Sequence, residues 1–449
     1  MSIIETHIKS KKSRESNKSM VQTYACYIPS GVEWLGEIPE HWELTRLGTR
    51  FKERKNKVSD KDYPPLSVTK NGTIPQLANA AKSNDGDNRK LVKKGDFVIN
   101  SRSDRKGSSG IAYQDGSVSL IYIVLEPDDI HPIYCNYLLK SYNFIEEFYR
   151  MGHGIVADLW TTRYDEMKAI MVGIPPLSEQ TKIAQFLDDK TTKIENAIAI
   201  KQQQINLLKE RKQILIHKAV TRGLDANVVL KDSGVEWIGV IPEHWNCVKF
   251  KFIIRTKARL GWKGLKAAEY VDKSNYGFLS TPNIKTRDID FDSAYFITKR
   301  RYYESPEIML QKGDVLLVKD GSTLGISNIV RDLPFKCTVN SSIAVLRVMD
   351  GVNLLPEYLN YFLKSETCQR IIDKKKDGMG VPHLFQSDIN NFSVPVFSIE
   401  EQGQISEYIE KSSIKLDEAI GLKQQEIAKL KEYKSSLING VVTGKVKVF

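Results

Sequence analysis

Cysteine is scarce and scattered in this chain: Cys26, Cys135, Cys247, Cys337 and Cys368 lie far apart, with no CxxC pair. An odd set at such spacing speaks against a disulfide frame or a zinc site and reads as reduced thiols in a cytoplasm. Long apolar runs are missing as well. No uncharged stretch approaches the ~20 residues that a membrane helix needs. The opening "MSIIETHIKSKKSRESNK" is polar and lacks the apolar centre of a secretory leader. No Walker A pattern GxxxxGK[ST] occurs, so ATP-driven motion is not expected of this chain. A nuclease core of Pro-Asp and Glu-x-Lys can be forced only from Pro127-Asp128 with Glu166 and Lys168, and the second half has no counterpart. His41 and His244 have no paired Ser, Cys or carboxylate motif, so packing or hydrogen bonding beside Trp34, Trp42, Trp237 and Trp245 is the expectation for them.

What the chain does have is size, positive charge and a repeat. At 449 residues it has room for two or three domains with proper cores. Its net charge of +11 favours polyanionic partners, nucleic acid first among them, although a basic protein without such a role would look the same. The repeat is more telling. "SGVEWLGEIPEHW" at 30–42 returns as "SGVEWIGVIPEHW" at 233–245, with eleven of thirteen letters unchanged. "KKGDFVI" (93–99) returns as "QKGDVLL" (311–317), and "PIYCNYLLKS" (132–141) as "PEYLNYFLKS" (356–365). "IPPLSEQ" (174–180) matches "VPVFSIEEQ" (394–402), and residues 193–221 match 415–443 at 15 of 29 positions. A period near 200 residues is far too long for a solenoid, so the chain is two copies of one large module.

Each module has two parts. The first mixes short β-rich runs ("GDFVIN", "SLIYIVLE", "GDVLLVKD", "SIAVLRV") with Gly, Asn and Asp turns and a helix expected over about 132–150, which makes it a mixed α/β (α+β) globule. The second is a long helix without proline from Ser178 to about Lys218. Its apolar seam runs Leu187, Ile194, Ile198, Ile205, Leu208, Leu215, and the copy repeats it as Leu416, Ile420, Ile427, Leu430, Leu437. Such a heptad seam wants a partner helix. Lys201, Lys212, Lys423 and Lys434 interrupt it, with stems able to lie on apolar surface while the ammonium reaches water.

Connectivity then implies an architecture. The first helix ends where the second globule begins, so two seams that pair with each other form an antiparallel coiled coil. About 40 residues at ~1.5 Å rise span ~60 Å, which predicts two globules held apart with pseudo-twofold symmetry. A twofold protein reads two DNA half-sites separated by turns of ~34 Å. The expected boundaries are a basic polar arm at 1–26, globules at 27–177 and 223–397, helices at 178–222 and 398–440, and a tail at 441–449.

"GVEWLGEIPEHW", the "IPPLSEQ" that leads into a long helix, "AIAIKQQQINLLKERK" and the terminal "LINGVVTGKV" closely resemble the specificity subunit of type I restriction–modification enzymes, the HsdS family. The resemblance runs from about residue 27 to the end, and the N-terminal arm departs from it. It implies two target-recognition domains reading an asymmetric, interrupted DNA site. It also implies docking of two methyltransferase subunits, and of ATP-driven restriction subunits for cleavage. The chain itself is then non-catalytic and binds no cofactor, with S-adenosylmethionine, ATP and Mg expected on the partner subunits. An adenine methyltransferase needs a Gly-rich loop for its cofactor and an Asn/Asp-Pro-Pro-aromatic motif for the flipped base. "GIPPLSE" offers Ile174 and Leu177 around its prolines, and so reads as a strand end before a helix. A self-sufficient DNA-modifying enzyme and a coiled-coil scaffold without sequence reading remain as alternatives.

Phosphate binding calls for Lys and Arg in loops, and base reading calls for polar side chains able to reach groove edges. In the first globule the loop "NSRSDRKGSSG" (100–110) is the leading candidate, with Arg102, Arg105 and Lys106. Lys70 and Asn71, Arg89 and Lys90, His153 and Arg163 follow. In the second globule the candidates are Lys257, Arg259, Lys263, Lys285, Arg287, Lys319, Ser322, Lys375, His383 and Gln386. No metal ligand set is proposed.

Overall fold

A computed structural model describes residues 22–77, 86–154, 160–258, 265, 269–272, 274–374 and 382–449. Residues 1–21 of the expected arm lie outside it. Contacts divide the chain into two units, 1–201 with 425–449, and 202–424. Each unit therefore takes one globule and part of both long helices.

In the first unit, an antiparallel four-stranded sheet has the order Ser109–Ile111, Phe97–Asn100, Tyr122–Pro127, Phe51–Glu53. The second unit repeats that order with Ser327–Ile329, Val315–Val318, Ile343–Val348, Ile254–Lys257. The central strands Phe97–Asn100 and Val315–Val318 are buried throughout, which is why they read as unbroken apolar runs. The repeated "KGD" fixes the turn before each of them. Asp96 accepts from Lys93 N at 2.8 Å and pairs with Arg54 at 2.7 Å; Asp314 accepts from Gln311 N at 2.7 Å and pairs with Arg347 at 2.6 Å. Both carboxylates are buried, so each needs its guanidinium.

Around this shared frame the units differ. The first adds the hairpin Leu66–Thr69/Gly72–Pro75 and a three-stranded sheet containing Arg89–Val92. The second adds a four-stranded sheet in which Tyr276–Leu279 pairs parallel with Lys336–Val339. The helix expected over 132–150 is two helices, Pro132–Leu139 and Tyr142–Arg150. Ser141 ends the first by donating to Leu138 O at 2.7 Å and caps the second at Phe144 N. Ser365 does the same between Pro356–Lys364 and Glu366–Asp373. An N-cap serine starts a new helix whatever the apolar spacing suggests.

The long helices run Leu177–Arg222 and Ile399–Val442. Pro175-Pro176 precedes the first, while Ser398 caps the second at Glu401 N. In both units the two helical segments run antiparallel. In the first, Lys201 meets Glu426 and Lys434 meets Glu195, each at 2.5 Å. In the second, Lys212 meets Asp417 at 2.7 Å. Of the lysines interrupting the seam, Lys201, Lys212 and Lys434 are thus paired across it. Leu187, Ile194, Ile205, Ile420 and Ile427 are buried; Ile198, Leu208, Leu215, Leu416, Leu430 and Leu437 are half-buried. Ile216 and Val220 leave the strict heptad, packing with Ile405 and Ile409 into the second globule's core. That shift follows the drift of a 3.6-residue helix against a 3.5-residue repeat.

The duplicated "PEHW" and "EQ" segments form a clamp at the start of each helix. Glu179 is buried and accepts from Trp42 Nε1 at 3.0 Å and from the Tyr24 hydroxyl, with His41 Nε2 2.8 Å from its other oxygen. Burial beside this carboxylate pushes the Tyr24 phenol well above its ordinary range, keeping it a donor. Glu401 repeats the contacts, with Trp245 Nε1 at 3.2 Å and His244 Nε2 at 2.9 Å. Next to it, Gln180 accepts from His131 N, and Gln402 from Leu355 N, each at 2.8 Å. The tail after Val442 closes onto the first globule: Gly444 adopts φ +76°, and a Cβ there would lie 2.3 Å from Pro39.

Glu179→Ala leaves two buried donors without an acceptor. It is expected to destabilise the first unit by about 2–4 kcal/mol, read from thermal unfolding followed by tryptophan fluorescence. Glu401→Ala costs less, because that carboxylate is 29% exposed and water replaces it. Burial pulls Lys364 down to about 8 from 10.5. Between those pH values the unfolded chain holds a proton that the folded chain has released, so stability rises with pH. Lys364→Met should abolish that rise in unfolding curves recorded from pH 7.5 to 10.5.

Candidate nucleic-acid interface

The first globule carries an open cleft of about 1120 Å³. Its basic wall is made by Lys70, Arg89, Arg102 and Arg105, with Asp104 as the acidic residue among them. Three separate segments supply that wall. Lys70 and Asn71 form the exposed turn of the hairpin 66–75, where Thr69 Oγ1 accepts from Asn71 N at 3.1 Å. Arg102 precedes and Arg105 ends a single 3-10 turn, Ser103–Arg105, just after the central strand. Arg102 N donates to Asn100 Oδ1 at 2.9 Å, so a buried amide sets the loop's departure angle. Arg105 keeps 71% of its side chain in solvent. Cations gathered in a concave, low-dielectric wall focus a positive potential, which is the requirement for holding a polyanion.

The other first-globule candidates separate. Arg89 and Lys90 lie on the strand Arg89–Val92 and not in the loop the sequence suggested. Arg89 is buried, its Nε donating to Ser117 Oγ at 2.8 Å; burial lowers the guanidinium's affinity for its proton, with the Asp60 charge opposing that shift. Lys90 is spent on Glu53 at 3.0 Å and Tyr122 O at 2.8 Å. Lys106 turns to Glu146 at 2.6 Å, beside a different hollow lined by Trp34, Tyr142 and Trp160. His153 and Arg163 are exposed on either side of Thr161, which His153 pairs through the backbone.

In the second globule, Lys257, Lys319, His383 and Gln386 come to one edge. Gln386 Nε2 donates to Thr256 O at 2.7 Å, next to Lys257, whose charge burial disfavours. Lys319 lies 3.2 Å from Asp320, and Asp320 also binds His383 Nδ1. Ser322 stands exposed on the following turn. Lys285 and Arg287 lie on another exposed turn, where Lys285 pairs with Asp290 at 2.5 Å and holds that carboxyl down to about 2. Arg259, Lys263 and Lys375 lie outside the described residues.

The candidate loop 100–110 also contributes Asn100 and Ser108 to the first cleft, while sequence reasoning missed Gln76, Ser119 and Tyr122 of its lining. It also missed the exposed Phe385. Only pairing between distant segments brings these groups together, and no local motif announces it.

The sequence profile of the type I restriction modification DNA specificity domain matches residues 39–210 and 262–432. The type I restriction enzyme MjaVIII specificity subunit of Methanocaldococcus jannaschii is 24% identical over 92% of this chain and 94% of its own length. A second protein of that organism, described as a putative type I restriction enzyme MjaX specificity subunit, is 22% identical over 92% and 96%. Among solved structures, a chain from work on assembly and conformational transition of the type I R-M system aligns with a TM-score of 0.68. It is 14% identical, over 90% of this chain and 98% of that one. The HsdS subunit from Thermoanaerobacter tengcongensis gives a TM-score of 0.50 at 15% identity. With the profile covering more than half of its length in two copies, this chain belongs to the type I restriction modification DNA specificity family.

Proposed function

We propose that the two globules read the two halves of an asymmetric, interrupted DNA target, and that the paired helices set the distance between those halves. The observation that carries this reading is the contrast between a frame whose strand order, clamp and helix caps recur in both units and exposed polar surfaces that differ. The cleft bounded by Lys70, Arg102 and Arg105 takes the first half-site, and the edge formed by Lys257, Lys319, His383 and Gln386 takes the second. Methyl transfer with S-adenosylmethionine, and cleavage with ATP and Mg, belong to partner subunits in this proposal. Two methyltransferase subunits dock on the duplicated scaffold, one per module, and restriction subunits join for cleavage. The chain then works without catalytic residues of its own, in the cytoplasm. Among the described residues no helix is long and apolar enough to cross a membrane.

Binding of the assembled complex to its target should fall steeply with salt. Replacing Lys70 and Arg105 by Ala should shrink the slope of log K against log salt by ~0.9 per lost phosphate contact. An unchanged slope in a fluorescence-anisotropy titration would remove this cleft from the interface. Deleting one heptad from each long helix should shorten the gap between half-sites by about 3 base pairs, since seven residues rise ~10 Å and each base pair ~3.4 Å. Mapping methylated adenines in cells reads the gap directly, and a constant gap would mean that the helices do not set it.

A further inference from the structure

Each globule carries one short cross-connection at the exit of its central strand, and the two are built in the same register. In the first, Ser101 O accepts from Thr162 N at 2.9 Å and Ser103 N donates to Trp160 O at 2.9 Å. In the second, Lys319 O accepts from Leu384 N at 2.8 Å and Gly321 N donates to Pro382 O at 3.1 Å. Arg102 therefore faces Thr161, and Asp320 faces His383. Two residues further on, Arg163 and Phe385 each stand at the N-cap of a short helix, Tyr164–Met167 and Gln386–Asn390. Position for position, Arg102 corresponds to Asp320, Thr161 to His383 and Arg163 to Phe385.

The backbone is shared and the chemistry is reversed. Where the first globule offers two exposed guanidinium groups, the second offers a carboxylate and an aromatic ring that is 63% exposed. Phe385 sits edge-on to His383, with ring centroids 4.5 Å apart. Apart from that contact with His383, the Phe385 ring is left in water at the lip of a polar edge. A carboxylate there would repel phosphate, so a backbone-binding role does not account for it. Base edges account for both: a carboxylate accepts from the exocyclic amine of cytosine or adenine, an apolar side chain packs on the thymine methyl, and arginine bonds guanine.

We infer that Asp320 and Phe385 set the base preference of the second half-site, at the positions where Arg102 and Arg163 set that of the first. Asp320 accepts from a cytosine or adenine amine while His383 and Lys319 hold its orientation, and Phe385 covers a thymine methyl. This inference rests on the proposal that the globules read DNA.

The test is adenine-methylation mapping in cells that carry the methyltransferase partner and single variants of this chain. Asp320→Asn keeps an acceptor for His383 and should lower discrimination about ten- to hundred-fold at one position of the second half, leaving the first half intact. Phe385→Ala should do the same at a neighbouring position, and Arg102→Ala should act on the first half alone. An unaltered second-half motif in both Asp320→Asn and Phe385→Ala overturns the inference, as does weakening that is uniform over all sequences. Replacing 319–325 by a Gly/Ser loop separates the two levels. If that exchange alters the second half while the point variants do not, only the inference fails; if it too leaves the motif unaltered, the reading of this edge as a DNA contact fails with it.

Discussion

Each long helix is gripped at its first turn by a carboxylate held between an indole N–H and an imidazole, and the placement of both globules depends on that grip. Glu179 and Glu401 lie where the helix dipole already favours negative charge. In the first copy the carboxylate is also buried, so it cannot exchange its protein donors for water. The neighbouring glutamines tie the same turn to the loop ahead of each proline-initiated helix. A globule fixed at the carboxylate, at the glutamine and along an apolar face has little freedom to rock on its helix. A reading surface is useful only if its position is known, and this is where position is supplied.

The repeated letters of the sequence are therefore scaffold letters. "PEHW" grips a glutamate, "KGD" buries an aspartate against an arginine, and the serine of "LKS" splits two helices. These roles need the same atoms at the same places, so the letters coincide. The exposed polar surfaces carry no such constraint and differ between the units. Arg102 and Asp320 make none of the clamp contacts, so substitutions there carry no stability cost at the junction.

The fold was legible for the same reason. Internal repetition, buried apolar strands and a heptad seam are local signals, and each strand run and seam position quoted from the sequence has its counterpart in the structure. What escaped were features decided across distance. The split of 132–150 is the local exception, set by a serine hydroxyl reaching back three residues to Leu138. The burial of Arg89 depends on Ser117, on a strand that no motif links to it. The cleft is assembled from a hairpin, a strand and a loop, so a list of basic residues could name Lys70 and Arg102 but not the Asn100 that aims one of them. Charge patterns say which residues have the right chemistry; pairing decides which of them meet.

The helix pairing needs a register as well as a direction, and the interrupting lysines supply one. An apolar seam alone tolerates a slip of one heptad, because leucine and isoleucine exchange with small loss. Lys201, Lys212 and Lys434 are half-buried, and each reaches a carboxylate on the opposite helix. A slip of one heptad toward Gln424 and Gln202 would leave Lys212 and Lys434 without a carboxylate to meet. Pairs of this kind add little to stability when exposed, yet losing the partner of a partly buried charge is costly. Their contribution is selective: they leave the correct register almost unchanged in energy and raise that alternative. For a segment proposed to fix the distance between two half-sites, a heptad slip would amount to an error of about 3 base pairs in that distance, and in that one direction the lysines suppress it.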